Sequence, residues 1–207
     1  MSGQITKLTY LRNGGLRVVV DGQALCVIDA ADWGAFCLTK GDALEQDKEA
    51  QLLACAQKFE ARKRAAASLA CQAYSAKGLE RRLRQKGISQ QAAQEAVEHY
   101  QGLGYVQDAR YAVDLAQKLH ETRCYGRRRI EQELRAKGVQ QQQAREALSL
   151  LPPDEQALRR CLEKKHRAVD WEDPAQRARA VRALLRYGYT YEQIAAAVGR
   201  AQEEEWE

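Results

Sequence analysis

The chain has three prolines in 207 residues, no run of 18 apolar residues, no Cys-x-x-Cys pair and no glycine-rich phosphate loop. Each absence excludes something. Scarce proline, with 29% charged residues and an apolar fraction of 45% to which alanine contributes heavily, favours long exposed helices over a sandwich or barrel. Without a long apolar run there is no candidate membrane span, and Met1-Ser2-Gly3-Gln4 does not open the basic-then-apolar pattern of a signal peptide. Cys26, Cys37, Cys55, Cys71, Cys124 and Cys161 are scattered with no histidine at ligand spacing, so no metal site is expected and the thiols suit a reducing cytoplasm. Neither a P-loop nor Gly-x-Gly-x-x-Gly occurs, His99, His120 and His166 have no triad-like partners, and the acidic residues form no acid–base pair. No catalytic residue and no cofactor is expected; a metal-dependent or cysteine-based enzyme is an alternative that would have to conceal its site.

What is present is positive charge, unevenly placed. The formal net charge is +5, yet residues 1–60 hold 6 Lys and Arg against 8 Asp and Glu, residues 61–200 hold 27 against 16, and the last seven residues add four glutamates. The excess therefore lies in 61–200, where it attracts phosphate by counterion release or an acidic protein surface by steering.

Ile5 to Leu11 and Leu16 to Ile28 are rich in Val, Ile, Leu, Thr and Tyr; Asp21-Gly22 breaks the second stretch and Asn13-Gly14-Gly15 turns the chain before it. This predicts a small three-stranded meander, then a helical or looped connection over Asp29 to Leu44 with a break at Gly41-Asp42. From Asp42 or Glu45 the pattern turns helical, with Leu52, Leu53, Ala56 and Phe59 at helical spacing.

Further along, the chain repeats itself. Leu79-x-x-x-Leu83-x-x-Lys86-Gly87-Ile88 matches Ile130-x-x-x-Leu134-x-x-Lys137-Gly138-Val139 and, more loosely, Ala180-x-x-x-Leu184-x-x-Tyr187-Gly188-Tyr189, at offsets of 51 and 50 residues. Ala93, Ala144 and Ile194, then Val97, Leu148 and Val198, keep the same register in a following helix. Each glycine reads as the left-handed residue past a helix end, and Ile88, Val139 and Tyr189 then pack back on Leu83, Leu134 and Leu184. Ser89 and Thr190 stand where the next helix needs a cap, Thr190 with Gln193 forms a capping box, and the remaining copy has Gln140. Gly104-Tyr105 closes a helix in the same manner, with Tyr105 in a packing role, and Asp108 is expected to cap a helix starting near Ala109, beside an exposed or locally paired Arg110.

The expected organisation is mainly α: a β-rich segment over 1–45, a helical connection over 46–60, three-helix repeats over 61–105, 106–152 and 153–200, and an acidic tail over 201–207. No unit buries much apolar surface alone, so tandem repeats are expected to form an elongated, curved body.

Tyr74-Ser75 through Leu83-x-x-Lys86-Gly87, then Gly104-Tyr105-Val106-Gln107-Asp108-Ala109-Arg110-Tyr111-Ala112, then Tyr125-Gly126 through Ile130-x-x-Glu133-Leu134-x-x-Lys137-Gly138, resemble the RecX regulatory family in order and spacing. The resemblance covers about 61–200. It implies three tandem three-helix repeats in a cytoplasmic bacterial protein that binds RecA nucleoprotein filaments, lodges in their groove and restrains filament growth, ATP hydrolysis and strand exchange, in recombination, repair and the SOS response. A monomer contacting RecA and DNA, single- or double-stranded without sequence preference, is the expected state. The alternative is a DNA-binding protein with tandem helix-turn-helix-like units that needs no RecA.

The candidate contact residues lie on the middle helix of each repeat: Arg81, Arg82, Arg84 and Lys86; Arg127, Arg128, Arg129, Arg135 and Lys137; and Arg182 and Arg186, with Arg177 and Arg179 nearby. Helical spacing turns Leu79 and Leu83 inward and Arg81, Arg84 and Lys86 outward. Such a strip contacts DNA phosphates or acidic protein patches, or is simply a solvated face. Among the tyrosines, Tyr111 falls on an inner face with Leu115, and Tyr74 and Tyr125, just before basic helices, are the surface candidates for stacking on bases. The tail Glu203-Glu204-Glu205-Trp206-Glu207 is either a disordered, solvating end or a segment that folds onto the basic strip.

Overall fold

A computed structural model describes the backbone over residues 3–204 and side chains over residues 3–199. The chain is mainly helical with a small N-terminal antiparallel sheet, and it divides into two compact units, Met1–Val106 and Gln107–Glu207.

In the first unit β1 (Gly3–Tyr10), β2 (Gly15–Val20) and β3 (Gln23–Asp29) form the expected meander. Asp21 and Gly22, at φ 48° and 80°, make the tight turn between β2 and β3, since two consecutive positive φ values match the right-handed strand twist. A two-residue strand, β4 (Ala43–Leu44), adds to the other edge of β1 to give the order β3-β2-β1-β4. The connection before it contains a short 3-10 helix over Ala30–Phe36.

The helix α1 (Gln46–Cys71) runs unbroken across residue 60, where the sequence pattern suggested a division. Its first half closes the sheet: Leu52 is fully buried with Ile5, Leu16, Ile28, Phe36, Leu38 and Leu44. Its second half belongs to the first repeat, where Ala61 and Ala65 meet Leu79 and Leu83 of α2 (Ala76–Gln85) and Ala92, Ala93, Ala96 and Val97 of α3 (Gln90–Gly102). Alanine at these positions lets helix backbones approach closely, and the leucines supply the apolar area, about 1.5–3 kcal/mol for each side chain removed from water.

The second unit repeats this plan twice. α4 (Asp108–Thr122), α5 (Arg127–Ala136) and α6 (Gln141–Ser149) enclose Ala112, Ala116, Ile130, Leu134, Val139, Ala144 and Leu148. α7 (Asp154–Lys165), α8 (Pro174–Arg186) and α9 (Tyr191–Glu204) enclose Ala157, Leu158, Cys161, Leu184, Tyr189 and Ile194. Cys124, from the α4–α5 turn, enters this second cluster.

The glycine turns end their helices as the sequence predicts. Gly87, Gly138 and Gly188 have φ of 82°, 85° and 95°. Ile88 N, Val139 N and Tyr189 N donate to the carbonyls of Leu83, Leu134 and Leu184 at 3.2, 3.1 and 3.4 Å, and the glycine amides donate to the carbonyls of the next residues, Arg84, Arg135 and Leu185, which is the Schellman pattern. Ser89 caps α3, and Thr190 with Gln193 forms a reciprocal capping box, Thr190 N donating to Gln193 Oε1 at 2.8 Å and Gln193 N to Thr190 Oγ1 at 3.2 Å. Gln140 stands at the cap of α6 without a side-chain cap bond.

Two local expectations are corrected. Asp108 is the first residue of α4 and Gln107 occupies the cap position. Tyr105 does not fill the core: it is 70% exposed, and the next residue, Val106, is buried in its place, the turn running one residue longer so that Val106 N as well as Tyr105 N donates to the Tyr100 carbonyl. Of the acidic tail, the helix α9 reaches Glu204 and the remainder lies outside the described residues.

Candidate functional site

The middle helices carry their leucines inward and their cations outward. Leu79, Leu83, Ile130, Leu134 and Leu184 are fully buried, and Arg81, Arg82, Arg84, Lys86, Arg128, Arg135, Lys137, Arg182 and Arg186 are exposed. The candidates differ in what else they touch. Arg82, Arg84, Arg128 and Arg186 make no ion pair among the described residues, whereas Arg135 pairs with Glu131 at 2.5 Å and Arg182 Nε donates to the Ala178 carbonyl at 3.2 Å.

Arg127 faces away from the others. Its guanidinium donates to the carbonyls of Leu151 at 2.8 Å and Leu148 at 3.4 Å, the open end of α6, and stands 3.5 Å from Asp154. Asp154 is buried and accepts the Arg127 amide at 3.2 Å, so one carboxylate serves the N-terminus of α5 while the guanidinium serves the C-terminus of α6. This is a joint between repeats.

In the first unit, Arg81 and Arg84 line an open groove of about 820 Å³ with Lys77, Gln85, Ser89 and Gln90, and with Gln57 from α1. Glu80 also lines it, so its charge is mixed, and no aromatic ring is present among its described lining residues.

In the second unit a cleft of about 610 Å³ lies between α5 and the α8–α9 turn. Arg128 and Arg129 reach it from the second repeat and Arg186 from the third, with Gln132, Tyr125 and Tyr187; among its described lining residues there is no carboxylate. Two Tyr-Gly dipeptides build it. Gly126 N donates to the Tyr187 carbonyl at 2.8 Å, and a Cβ on Gly126 would stand 3.1 Å from the Gly188 oxygen. The rings of Tyr125 and Tyr187 are 5.5 Å apart, with Arg129 over the first and Lys165 over the second, 5.6 and 4.7 Å from the ring centres. Arg129 is partly committed, meeting Glu133 at 2.6 Å. The Tyr189 hydroxyl donates to the Cys124 carbonyl at 2.8 Å, and burial raises its pKa far above the ordinary phenol value.

Arg135, Lys137 and Arg182 line neither groove, nor do Arg82 and Lys86. Tyr125 is at the cleft, while Tyr74 packs on the first repeat's core and accepts a bond from Gln72 at 2.6 Å. Tyr187 was legible only as the residue replacing lysine in the third copy. The pair of buried His120 and half-buried Arg160 had no sequence signal: a guanidinium nitrogen stands 3.4 Å from His120 Nδ1, while His120 Nε2 and Arg160 Nε lack partners among the described residues. Burial, then the Arg160 charge, lowers the His120 pKa. Among the described residues no group of three or more His, Cys, Asp or Glu is placed to hold a metal ion.

These repeats have counterparts in known proteins. Profiles for the second and third three-helix domains of RecX match residues 108–148 and 153–198. The regulatory protein RecX of Trichlorobacter lovleyi is 33% identical over 121 residues, which is 56% of this chain and 79% of that protein. The chain belongs to the RecX family. The regulatory protein RecX of Streptomyces coelicolor is 31% identical over 128 residues, 60% of this chain and 68% of its own length. A crystal structure of regulatory protein RecX superposes with a TM-score of 0.70 at 20% identity, covering 94% of this chain and 99% of the other, and one of RecX from Lactobacillus salivarius gives 0.58, covering 70% and 96%; at that identity they speak to the fold. RecX membership supports a regulatory role, and the matched relatives are named as regulatory proteins. No helix among the described residues is long and apolar enough to cross a membrane.

Proposed function

We propose that this RecX-family chain inhibits RecA filament growth, ATP hydrolysis and strand exchange by lodging in the filament groove, where it meets both RecA and DNA. It acts as a cytoplasmic monomer, without an enzymatic step, in recombination, repair and the SOS response. The observation that carries the reading is the recurrence of exposed arginines that make no ion pair among the described residues, Arg84, Arg128 and Arg186, on the middle helices of all three repeats. Guanidinium groups without a protein partner supply binding energy to an acidic or phosphate-bearing surface, because no internal pair has to be broken first. The effect on the filament is steric and electrostatic.

RecA ATPase and strand exchange on single-stranded DNA test it, with and without the chain. Inhibition that rises with the ratio of chain to RecA is expected; no effect overturns the reading. The cleft with three arginines favours a second reading, a DNA-binding protein that acts without RecA, whose sign is tight, salt-steep binding to bare DNA in a chain inert toward RecA.

A further inference from the structure

The cleft between α5 and the α8–α9 turn differs in kind from the groove on α2. Its cations are guanidiniums alone, no carboxylate stands among its described lining residues, and Tyr125, Tyr187 and Tyr189 line it; the groove on α2 has Glu80, amides and a hydroxyl but no ring. We propose that the cleft is a subsite for single-stranded nucleic acid, holding a phosphodiester between Arg128 and Arg186 and an unstacked base against Tyr187. This rests on the reading that the chain works on a nucleoprotein filament, and names which nucleic acid it grips and where.

Three observations converge on that ligand. Arg128 and Arg186 come from different repeats, line one cleft and have no ion pair among the described residues, so their charge is available to an anion; the guanidinium fork matches phosphate oxygens. Tyr187 has the Lys165 ammonium over its ring and the tilted ring of Tyr125 5.5 Å away, contacts that fix its ring before any ligand arrives. A base stacked on a fixed ring loses less freedom than one that must order a loose side chain. Finally, the bases of a duplex stack on one another and offer only their edges, so rings beside the Gly188 turn suit an unpaired strand. An acidic peptide would use the arginines and leave the rings idle.

Anisotropy of a short labelled oligo(dT), titrated with the full chain at several salt concentrations, tests the subsite. The double variant Arg128→Glu/Arg186→Glu is expected to weaken binding at least about tenfold and to lower the slope of log affinity against log salt by about 0.7, the contribution of one neutralised phosphate on a single strand. Tyr187→Leu weakens binding and Tyr187→Phe retains it, which a purely structural role of the hydroxyl would not produce. Arg12→Glu/Arg17→Glu, exposed on β2 and the turn before it and outside the arginines assigned to binding, leaves the affinity unchanged. Helical signal and melting temperature of each variant are measured alongside, and Arg128→Gln/Arg186→Gln repeats the test if the reversed pair unfolds. Absence of oligo(dT) binding by the unmutated chain overturns the proposal. Equal loss from the Arg12/Arg17 pair, preference for duplex, or binding of labelled polyglutamate in place of oligo(dT) does so too. RecA inhibition by a chain that ignores oligo(dT) removes the subsite and leaves the regulatory role standing; oligo(dT) binding without any effect on RecA does the reverse.

Discussion

The amide of Gly126 donates to the carbonyl of Tyr187 at 2.8 Å, so two Tyr-Gly dipeptides 62 residues apart bring the second and third repeats into backbone contact. Neither glycine has room for a side chain: a Cβ on Gly188 would stand 2.5 Å from Arg129 N, and one on Gly126 would stand 3.1 Å from the ring of Tyr189.

Gly188→Ala is therefore expected to destabilise the second unit by about 2–5 kcal/mol, combining roughly 1–2 for a left-handed residue with a Cβ and about 1–3 for the overlap. Gly87→Ala has the same backbone conformation but nothing within 4 Å of the added carbon, so only the first contribution applies. Urea unfolding of both variants checks the difference. Equal losses would mean that the close approach at Gly188 carries no cost.

Arg127 and Arg128 are neighbours with opposite duties. Arg127→Ala removes the guanidinium from the Leu151 carbonyl and from buried Asp154, which keeps the residue-127 amide, and is expected to cost about 1–3 kcal/mol. Arg128→Ala is expected to change stability by less than about 0.5 kcal/mol, as a surface substitution does. If the two melt alike, Arg127 is not the joint between α6 and α7.

Charge reversal at Arg84 and Arg128 is expected to weaken RecA inhibition several-fold at low salt and less at high salt, since exposed charges are screened within a Debye length of about 10 Å at 0.1 M. Arg135→Glu is expected to do less, because Arg135 already spends its charge on Glu131. Inhibition constants measured at two salt concentrations decide the order.

His120 makes stability depend on pH. Burial and Arg160 hold its pKa below 6.5, so below that pH the unfolded chain takes up a proton that the folded chain refuses. Stability is then complete above pH 6.5 and falls as the pH drops beneath it, by up to about 1.4 kcal/mol per pH unit until the folded group titrates. His120→Leu should flatten that decline, leaving the share from His166, which is shifted in the same direction. An unchanged pH profile in the variant would assign the dependence elsewhere.

Thiol chemistry separates the cysteines. Burial pushes Cys26 and Cys161 up to about 11, and Cys37 and Cys71 are exposed, so a disulfide reagent at neutral pH should modify the latter two first, half-buried Cys26 more slowly and buried Cys161 only on unfolding. Fast labelling of Cys161 in the folded chain would contradict its burial in the third repeat.

Much of this was legible in local pattern. Asp21-Gly22 announced its hairpin, the glycine after each middle helix announced a left-handed end, and Leu79, Leu83, Ile130 and Leu134 announced their inward faces, because each depends on residues within one or two turns of chain. The outward cations followed from the same periodicity. What escaped was partnership. Nothing near Arg127 in sequence shows that it closes α6, since Leu151 and Asp154 come from beyond another helix, and nothing near His120 shows that Arg160 lies against it.

By itself the sequence determined where the helices begin and end, which faces are apolar and which charged, and the repeat that identifies the family. All of these are set by propensity, periodicity and capping within a short stretch. Tertiary structure decided which of the predicted arginines meet in one cleft and which are consumed by the scaffold, because that depends on how closely two glycines let α5 and the α8–α9 turn approach, a distance that no local pattern encodes.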